Sequence, residues 1–374
     1  MAGYQRRSWN RLNGSHILSE SWVDQDRKQI AHRAGVTTDA VDFVCENDVI
    51  DLHVEPYLPY RLYNYDLFSS HGLGVLRGRL MGHLDFPRIR AGGLAGGMWS
   101  ITTNIARGSE GKWKTFLNNV QGLHELMKQT EGEFKIVRTA SEYASARRTG
   151  AHAAMLVVQG GNALEAGIDR LDEIPNDSLV RVTLVHLTNS PLGITSSPLR
   201  WPRGQQGLSD VGKKWVEVLN ERNIFVDLAH INRPGFWDAV EVHDREKPIL
   251  VTHTGVDGVC PHWRNLDDDQ IRAVSNSGGT TGIIFAKQFL KRKGGPRSLD
   301  MVLEHLEYAV KVGGEDHVSI GSDLDGFITP PPGLRDGDAY LRLVQGMIDR
   351  GWSLELMLKV ASRNFLRTFE QLRP

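Results

Sequence analysis

Eight short apolar runs recur along the chain and predict its strands. Each is dominated by Val, Ile, Leu or other apolar residues, with little regular alternation of polar positions. Such runs are typical of a parallel sheet whose two faces are both covered. The predicted strands are DVIDLHV (48–54), FKIVR (134–138), AAMLVVQG (153–160), RVTLVHLT (181–188), NIFVDLAH (223–230), PILVTHTG (248–255), TTGIIFA (280–286) and HVSIGSDLDG (317–326).

Helical periodicity separates most of these strands. Apolar residues in 211–222 recur at i, i+4, i+7 and i+8, and 299–312 shows the same spacing. Eight strands alternating with helices predict an α/β fold, the (β/α)8 TIM barrel. A doubly wound open sheet is the alternative, but no GxGxxG motif follows the first strand.

The remaining segments predict additions to one domain that spans 1–374. Residues 1–45 predict a helical extension before the barrel, and 334–374 predict helices packed on its outside. The stretch 56–133 is too long for an ordinary connection, so we expect an insertion over the barrel mouth. It contains the glycine-rich segment AGGLAGGMW (91–99).

Composition excludes several classes of protein. The 374 residues carry 44 Lys and Arg against 45 Asp and Glu, so charge does not favour a nucleic-acid or membrane-surface partner. The two cysteines, Cys45 and Cys260, cannot form a disulfide framework. Neither a signal-peptide pattern nor a run of roughly 20 apolar residues is present, so we expect a cytoplasmic protein.

Candidate chemistry lies at the ends of the predicted strands. His53 and Glu55 are two residues apart, so both side chains can point to one side of the first strand. Barrel active sites form at the C-terminal ends of strands. Imidazoles and carboxylates that converge there can bind a divalent metal such as zinc, which activates water. The converging residues are expected to be His53, Glu55, Gln159, His186, His230, His253 and Asp323.

At this point the sequence resembles the membrane (renal) dipeptidase family, zinc peptidase family M19, a branch of the amidohydrolase-like barrels. The resemblance spans roughly 48–370. Its motifs occur in the family's order and near its spacing, among them DLHVE, LDFPRIRAGGLAGGMWS, QGGNALE, LVHLTNSPLG, VTHTGVDGVCPHWRN and IGSDLDG. The resemblance implies a (β/α)8 barrel, a zinc pair and dipeptide substrates.

The resemblance also implies a metal-ligand set. The family's strand-one histidine matches His53, and its neighbouring aspartate is Glu55 in this chain. The family's bridging glutamate falls on Gln159. The two remaining ligand histidines match His230 and His253.

Further roles follow from the same resemblance. His186 matches the substrate-binding histidine, and Arg264 matches the arginine that holds the substrate carboxylate. A guanidinium suits that task because it can bind a carboxylate through two hydrogen bonds. Asp323 matches the acid that orients the attacking water or takes its proton, and Asp325 is the neighbour that could be confused with it.

Two positions depart from the family pattern. Gln159 is neutral and offers one good oxygen, so it bridges two cations poorly. Glu55 is one methylene longer than aspartate and could take over part of the bridging. The rival hypothesis is a single metal on His230 and His253.

Three functions are consistent with these residues. The first is a metal-dependent hydrolase of dipeptides or dipeptide-like amides. The second is a one-metal enzyme that acts on another small amide or a specialised metabolite. The third is a non-catalytic relative. A homodimer is possible, and no nucleic-acid or membrane partner is expected.

Overall fold

The computed structural model describes residues 20–72, 77–102, 107–198 and 207–374. Residues 1–19 of the predicted helical extension lie outside the described residues. The rest of that extension forms α1 (Glu20–Ala34) and α2 (Thr38–Glu46), which precede the first strand.

Eight parallel strands close into a barrel, which confirms the predicted (β/α)8 fold. The ring closes because β2 pairs with β4 through seven consecutive residue pairs. A short additional strand, β3 (Phe134–Ile136), pairs with residues 152–154 at the start of β4. The barrel strands are β1 (Val49–Val54), β2 (Leu94–Thr102), β4 (His152–Gln159), β5 (Leu179–Thr183), β6 (Phe225–Asp227), β7 (Leu250–Thr254), β8 (Thr280–Ile283) and β9 (Val318–Ile320).

Helices alternate with these strands, and three short helical turns follow β4. None of the described helices combines the length and the apolar character that crossing a membrane requires. The helices after α2 are α3 (Tyr57–Tyr63), α4 (Phe86–Ala91), α5 (Ser109–Lys128), α6 (Ala140–Arg148), α7 (Asp210–Glu221), α8 (Arg233–Val242), α9 (Asp268–Asn276), α10 (Lys287–Leu290), α11 (Asp300–Gly313), α12 (Ala339–Asp349), α13 (Leu354–Leu358) and α14 (Asn364–Leu372).

The second barrel strand is not the predicted one. The run 134–138 contains only the accessory strand β3, and the glycine-rich segment 91–99 leads into β2 and forms most of it. Within β2, a Cβ on Gly96 would lie 3.0 Å from the carbonyl oxygen of Ala153, and a Cβ on Gly97 would lie 3.3 Å from the Val54 side chain. Glycines therefore stand at these close approaches, where Val and Ile would normally indicate a strand.

The predicted insertion over 56–133 is consequently too long. The segment between β1 and β2 contains α3 and α4, whereas β2 and α5 belong to the regular barrel. This shorter segment is attached to the residues after β9. The carboxylate of Asp325 accepts hydrogen bonds from the backbone N–H groups of Gly82, His83 and Leu84, at 2.6 to 3.0 Å.

The last helix, α14, packs at the N-terminal ends of the barrel strands. Phe365 and Phe369 of α14 contact Phe225, the first residue of β6, with ring centroids 6.3 Å apart. They share an apolar cluster with residues of the barrel strands. The C-terminal ends of the strands remain available for a functional site.

Replacing Asp325 tests whether its carboxylate holds the segment between β1 and β2. In Asp325→Ala, the buried N–H groups of Gly82, His83 and Leu84 lose their acceptor. We expect the free energy of unfolding to fall by about 3 kcal/mol or more, because each of the three unsatisfied buried donors costs about 1–3 kcal/mol. Urea unfolding measures the change. Asp325→Asn keeps one acceptor oxygen and should lose less; an unchanged midpoint in Asp325→Ala would refute the role.

Candidate metal centre and active site

The predicted site residues meet at the C-terminal ends of the barrel strands. His53 and His253 lie within β1 and β7, and Gln159 is the last residue of β4. His230 and Asp323 each follow a strand by three residues, and both have left-handed backbone conformations, with φ +67° and +63°. Such strained backbone is concentrated at functional sites.

Two histidines and Gln159 form the tightest group. The Nε2 atoms of His230 and His253 are 2.8 Å apart. The Nε2 atom of Gln159 lies 3.1 Å from the first and 3.2 Å from the second. Burial lowers the pKa of both histidines well below the usual value, so both are neutral at pH 7. Neutral imidazoles are the form that binds metal.

The hydrogen bonds of Thr102 determine which end of Gln159 faces these histidines. Its hydroxyl lies 2.8 Å from Glu55 Oε1 and 3.2 Å from Gln159 Oε1. The hydroxyl has one proton, which the Glu55 carboxylate accepts, so the hydroxyl oxygen is an acceptor for the amide. Rotating the Gln159 amide by 180° places its NH2 group against this hydroxyl oxygen. The same rotation turns the carboxamide oxygen towards His230 and His253.

A second group contains His53 and the acids. His53 Nε2 lies 3.3 Å from Glu55 Oε1 and 3.6 Å from Asp323 Oδ1. The ring of His53 stacks on that of His253, with centroids 3.9 Å apart. Possible ligand atoms of His53, His253 and Asp323 all lie within 4.8 Å of one another.

The pKa values of Glu55 and Asp323 are shifted in opposite directions. Burial alone would raise the pKa of Glu55, but its hydrogen bonds with His53 and Thr102 and the electrostatic effects of His53 and His186 together outweigh burial, so the pKa is lowered. Burial raises the pKa of Asp323 well above its usual value, and the negative charge of Glu55 adds to that shift. Carboxyl groups whose pKa values are pushed apart are typical of acid–base chemistry.

His186 and Arg264 border the same groups. The ring of His186 packs edge-on against His230, with centroids 4.7 Å apart. Burial lowers the pKa of His186 to about 4. Arg264 is only 3% exposed. One of its Nη atoms donates to the carbonyl oxygen of His253 at 2.6 Å, and its Nε has no hydrogen-bond partner.

A buried polar group that the sequence did not predict as part of the site lies behind His53 and His253. Arg181 and Asp227 form an ion pair in which both side chains are fully buried. Arg181 lies against His53, and Asp227 is linked to His253 through Thr252. A signal was present, because both charges stand within otherwise apolar predicted strands. Thr102 gave no signal, since it ends the strand that was not predicted.

The donor set can hold a divalent cation, and two candidate places for it share His253. His230, His253 and the rotated amide oxygen of Gln159 offer three ligands at one place, and His53, His253 and Asp323 offer ligand atoms within 4.8 Å of one another at the other. Three protein ligands with a position left for water is the usual arrangement of catalytic zinc. Gln159 cannot supply the negative charge that a bridging carboxylate brings to two cations.

Comparisons with known proteins show the family of the chain. The family model described as membrane dipeptidase (peptidase family M19) matches residues 39–373. An uncharacterized protein in the pqqA 5′ region of Klebsiella pneumoniae is 33% identical over 183 residues. That match covers 48% of this chain and 66% of the relative, which is just under two thirds of the relative's length.

Two solved structures are similar in fold and sequence. Dipeptidase AC, a metallopeptidase of family M19, has a TM-score of 0.76 and 28% identity, over 87% of this chain and 99% of its own. A metallopeptidase from Rhodobacter sphaeroides, liganded with a phosphinate mimic of the dipeptide L-Ala-D-Ala, has a TM-score of 0.75 and 27% identity over the same shares. The chain belongs to the membrane dipeptidase family, peptidase family M19, and this membership and the two neighbours support a metallo-dipeptidase-like hydrolase.

Proposed function

We propose that the protein is a metal-dependent hydrolase that cleaves the amide bond of dipeptides or dipeptide-like small molecules. The observation that carries the proposal is the convergence of His230, His253 and Gln159 beside Arg264 and Asp323. Family membership and the neighbour bound to a dipeptide mimic point to the same chemistry. They do not favour a different amide substrate or a non-catalytic relative.

The metal is proposed to be one zinc ion, held by His230, His253 and Gln159. A zinc ion, when bound, polarises the amide carbonyl and makes water more acidic. The hypothesis that Glu55 replaces the family's bridging carboxylate is less well supported, because Oε1 of Glu55 already contacts the Thr102 hydroxyl and His53.

Arg264 is proposed to bind the terminal carboxylate of the substrate. Its Nε is buried without a partner, although a buried donor is normally satisfied. A carboxylate that enters the site would satisfy this donor and pair with the guanidinium charge. This arrangement favours substrates whose carboxylate is close to the scissile amide.

Asp323 and His186 are proposed to handle protons and charge during cleavage. Asp323 accepts a proton from the attacking water at a carboxylate oxygen and passes it to the nitrogen of the leaving amine. His186 is neutral at pH 7 and donates an N–H to the substrate carbonyl oxygen, where negative charge develops. The products are a carboxylic acid and an amine. A cytoplasmic location and a homodimer stay predictions.

Replacing Asp323, the proposed proton carrier, tests the proposed hydrolysis directly. Across a panel of dipeptides assayed with added zinc, we expect wild-type protein to hydrolyse at least some members. In Asp323→Asn, kcat should fall by about 10²- to 10⁴-fold, the usual contribution of a positioned acid–base group. Zinc content, measured in parallel, should stay unchanged. Undiminished turnover in Asp323→Asn would exclude the proposed role, and no turnover of any dipeptide by zinc-loaded wild type would exclude the proposed substrate class.

The role of Arg264 is tested with matched substrates. In Arg264→Met, KM for a dipeptide should rise about 10- to 100-fold, since a charged hydrogen bond contributes about 1.5–3 kcal/mol. The corresponding dipeptide amide lacks the terminal carboxylate and should be affected much less. An equal loss on both substrates would show that Arg264 does not recognise the carboxylate.

Restoring a carboxylate tests the role of position 159. Gln159→Glu should bind zinc at least about tenfold more tightly, equivalent to about 1.4 kcal/mol, because an anionic ligand replaces a neutral one. Competition with a chromogenic chelator measures the affinity. Gln159→Met, which removes the oxygen, provides the opposite control. Equal zinc affinity in all three proteins would show that residue 159 is not a ligand.

A further inference from the structure

Arg264 lies in the connection between β7 and α9 (residues 255–266, the Arg264 loop). The two ends of this loop pair with each other. The N–H of Asp257 donates to the carbonyl oxygen of Leu266 at 2.8 Å, and the N–H of Leu266 donates to that of Gly255 at 3.1 Å. The loop therefore closes on itself, and side chains join it to the neighbouring helices.

The end of α10 accepts hydrogen bonds from the Arg264 loop and from α11. The last carbonyl groups of a helix have no partner within the helix, so they need donors from elsewhere. Asn265 Nδ2 donates to the carbonyl oxygen of Phe289 at 2.9 Å. His305 of α11 has its Nε2 atom 3.1 Å from the carbonyl oxygen of Leu290, the next residue. The loop and α11 therefore meet at the same helix end.

His305 also contacts the Arg264 loop directly. Its Nδ1 atom accepts a hydrogen bond from the N–H of Val256 at 3.0 Å. A backbone N–H only donates, so the proton of the neutral ring is on Nε2 and is donated to Leu290. The side chain is 0% exposed, and burial lowers its pKa to about 4, so the ring is neutral at pH 7. Both ring nitrogens are therefore used by contacts outside α11.

The contact at Val256 is connected to Arg264 through the backbone of the loop. Val256 forms a parallel bridge with Leu266. The Thr254 hydroxyl donates to the carbonyl oxygen of Arg264 at 3.1 Å, and the Arg264 guanidinium donates to that of His253 at 2.6 Å. A shift of the loop at Val256 would move the Arg264 backbone relative to β7. A misplacement of about 1 Å is enough to weaken the fit of a substrate.

We infer that His305 is a positioning residue that holds the Arg264 loop against α10 and thereby places Arg264 for the substrate carboxylate. Its hydrogen bonds are with Val256 and Leu290, so it acts through Arg264 and not on the reacting atoms. The inference rests on the proposed function, in which Arg264 binds that carboxylate. A histidine with only a structural role would change stability and leave the preference for a free carboxylate unchanged.

Two variants separate the two hydrogen bonds of His305. The side-chain oxygen of Asn can take the place of Nδ1, so His305→Asn keeps an acceptor for Val256. The side-chain nitrogen of Gln can take the place of Nε2, so His305→Gln keeps a donor for Leu290 and leaves the Val256 N–H without its acceptor.

The kinetic test compares a dipeptide with the corresponding dipeptide amide. In His305→Gln, KM for the dipeptide should rise about 3- to 10-fold, equivalent to one lost hydrogen bond, with kcat nearly unchanged. KM for the amide, which lacks the terminal carboxylate, should change little. His305→Asn should restore most of the affinity for the dipeptide.

Hydrogen exchange measures the loop without any assay of activity. In His305→Gln, the amides of 255–266 should exchange about 3- to 10-fold faster, because the loop has lost one hydrogen bond to α11. His305→Asn should exchange at a rate close to that of the wild type. Mass spectrometry of peptides from this segment gives the rates. Unchanged exchange in His305→Gln would overturn the inference.

His152 provides a matched control. Its buried ring also has both nitrogens occupied, by Trp99 Nε1 and by the carbonyl oxygen of Leu94. His152→Gln should lower stability but leave KM for the dipeptide and exchange in 255–266 unchanged.

The substrate pair also separates this inference from the proposed function. An equal rise in KM for the dipeptide and its amide in His305→Gln, or a rise for neither, would overturn the positioning role. If Arg264→Met affects both substrates equally, the proposed role of Arg264 fails instead. The exchange rates would then still decide whether His305 holds the loop.

Discussion

A buried ion pair between Arg181 and Asp227 lies directly behind the metal centre, and the positions of two site histidines depend on it. The Arg181 side chain is fully buried, with its charge paired to Asp227 and one Nη atom against His53. Through Thr252, the partner carboxylate faces His253. One ion pair therefore supports the rings of both His53 and His253 from behind the site.

The charge of the side chains around the site bears on the number of cations. Two divalent cations close together repel each other unless carboxylates lie between them. This chain has the neutral Gln159 where the resemblance implies a bridging glutamate, and Gln159 lies against His230 and His253. The carboxylates of Glu55 and Asp323 lie instead beside His53. One cation therefore suits the neutral ligands His230, His253 and Gln159, and Arg264 suits an anionic substrate.

The sequence predicted the barrel and most of the site because both follow from simple patterns. Apolar runs between amphipathic helices indicate a parallel sheet, and His53, His230 and His253 stand at strand ends. The second strand was missed because Gly96 and Gly97 lie where the neighbouring strands approach closely, and no apolar pattern reveals such an approach. The contacts of the Arg181–Asp227 pair with the histidines join strands that are distant in the sequence, so they could be found only in the folded structure.

Anomalous X-ray diffraction at the zinc edge, from crystals grown with excess zinc, tests the central claim most directly. One peak beside Nε2 of His230 and Nε2 of His253, with Nε2 of His53 beyond bonding distance, is the expected result. Two peaks of similar height, one of them bonded to His53, would contradict it.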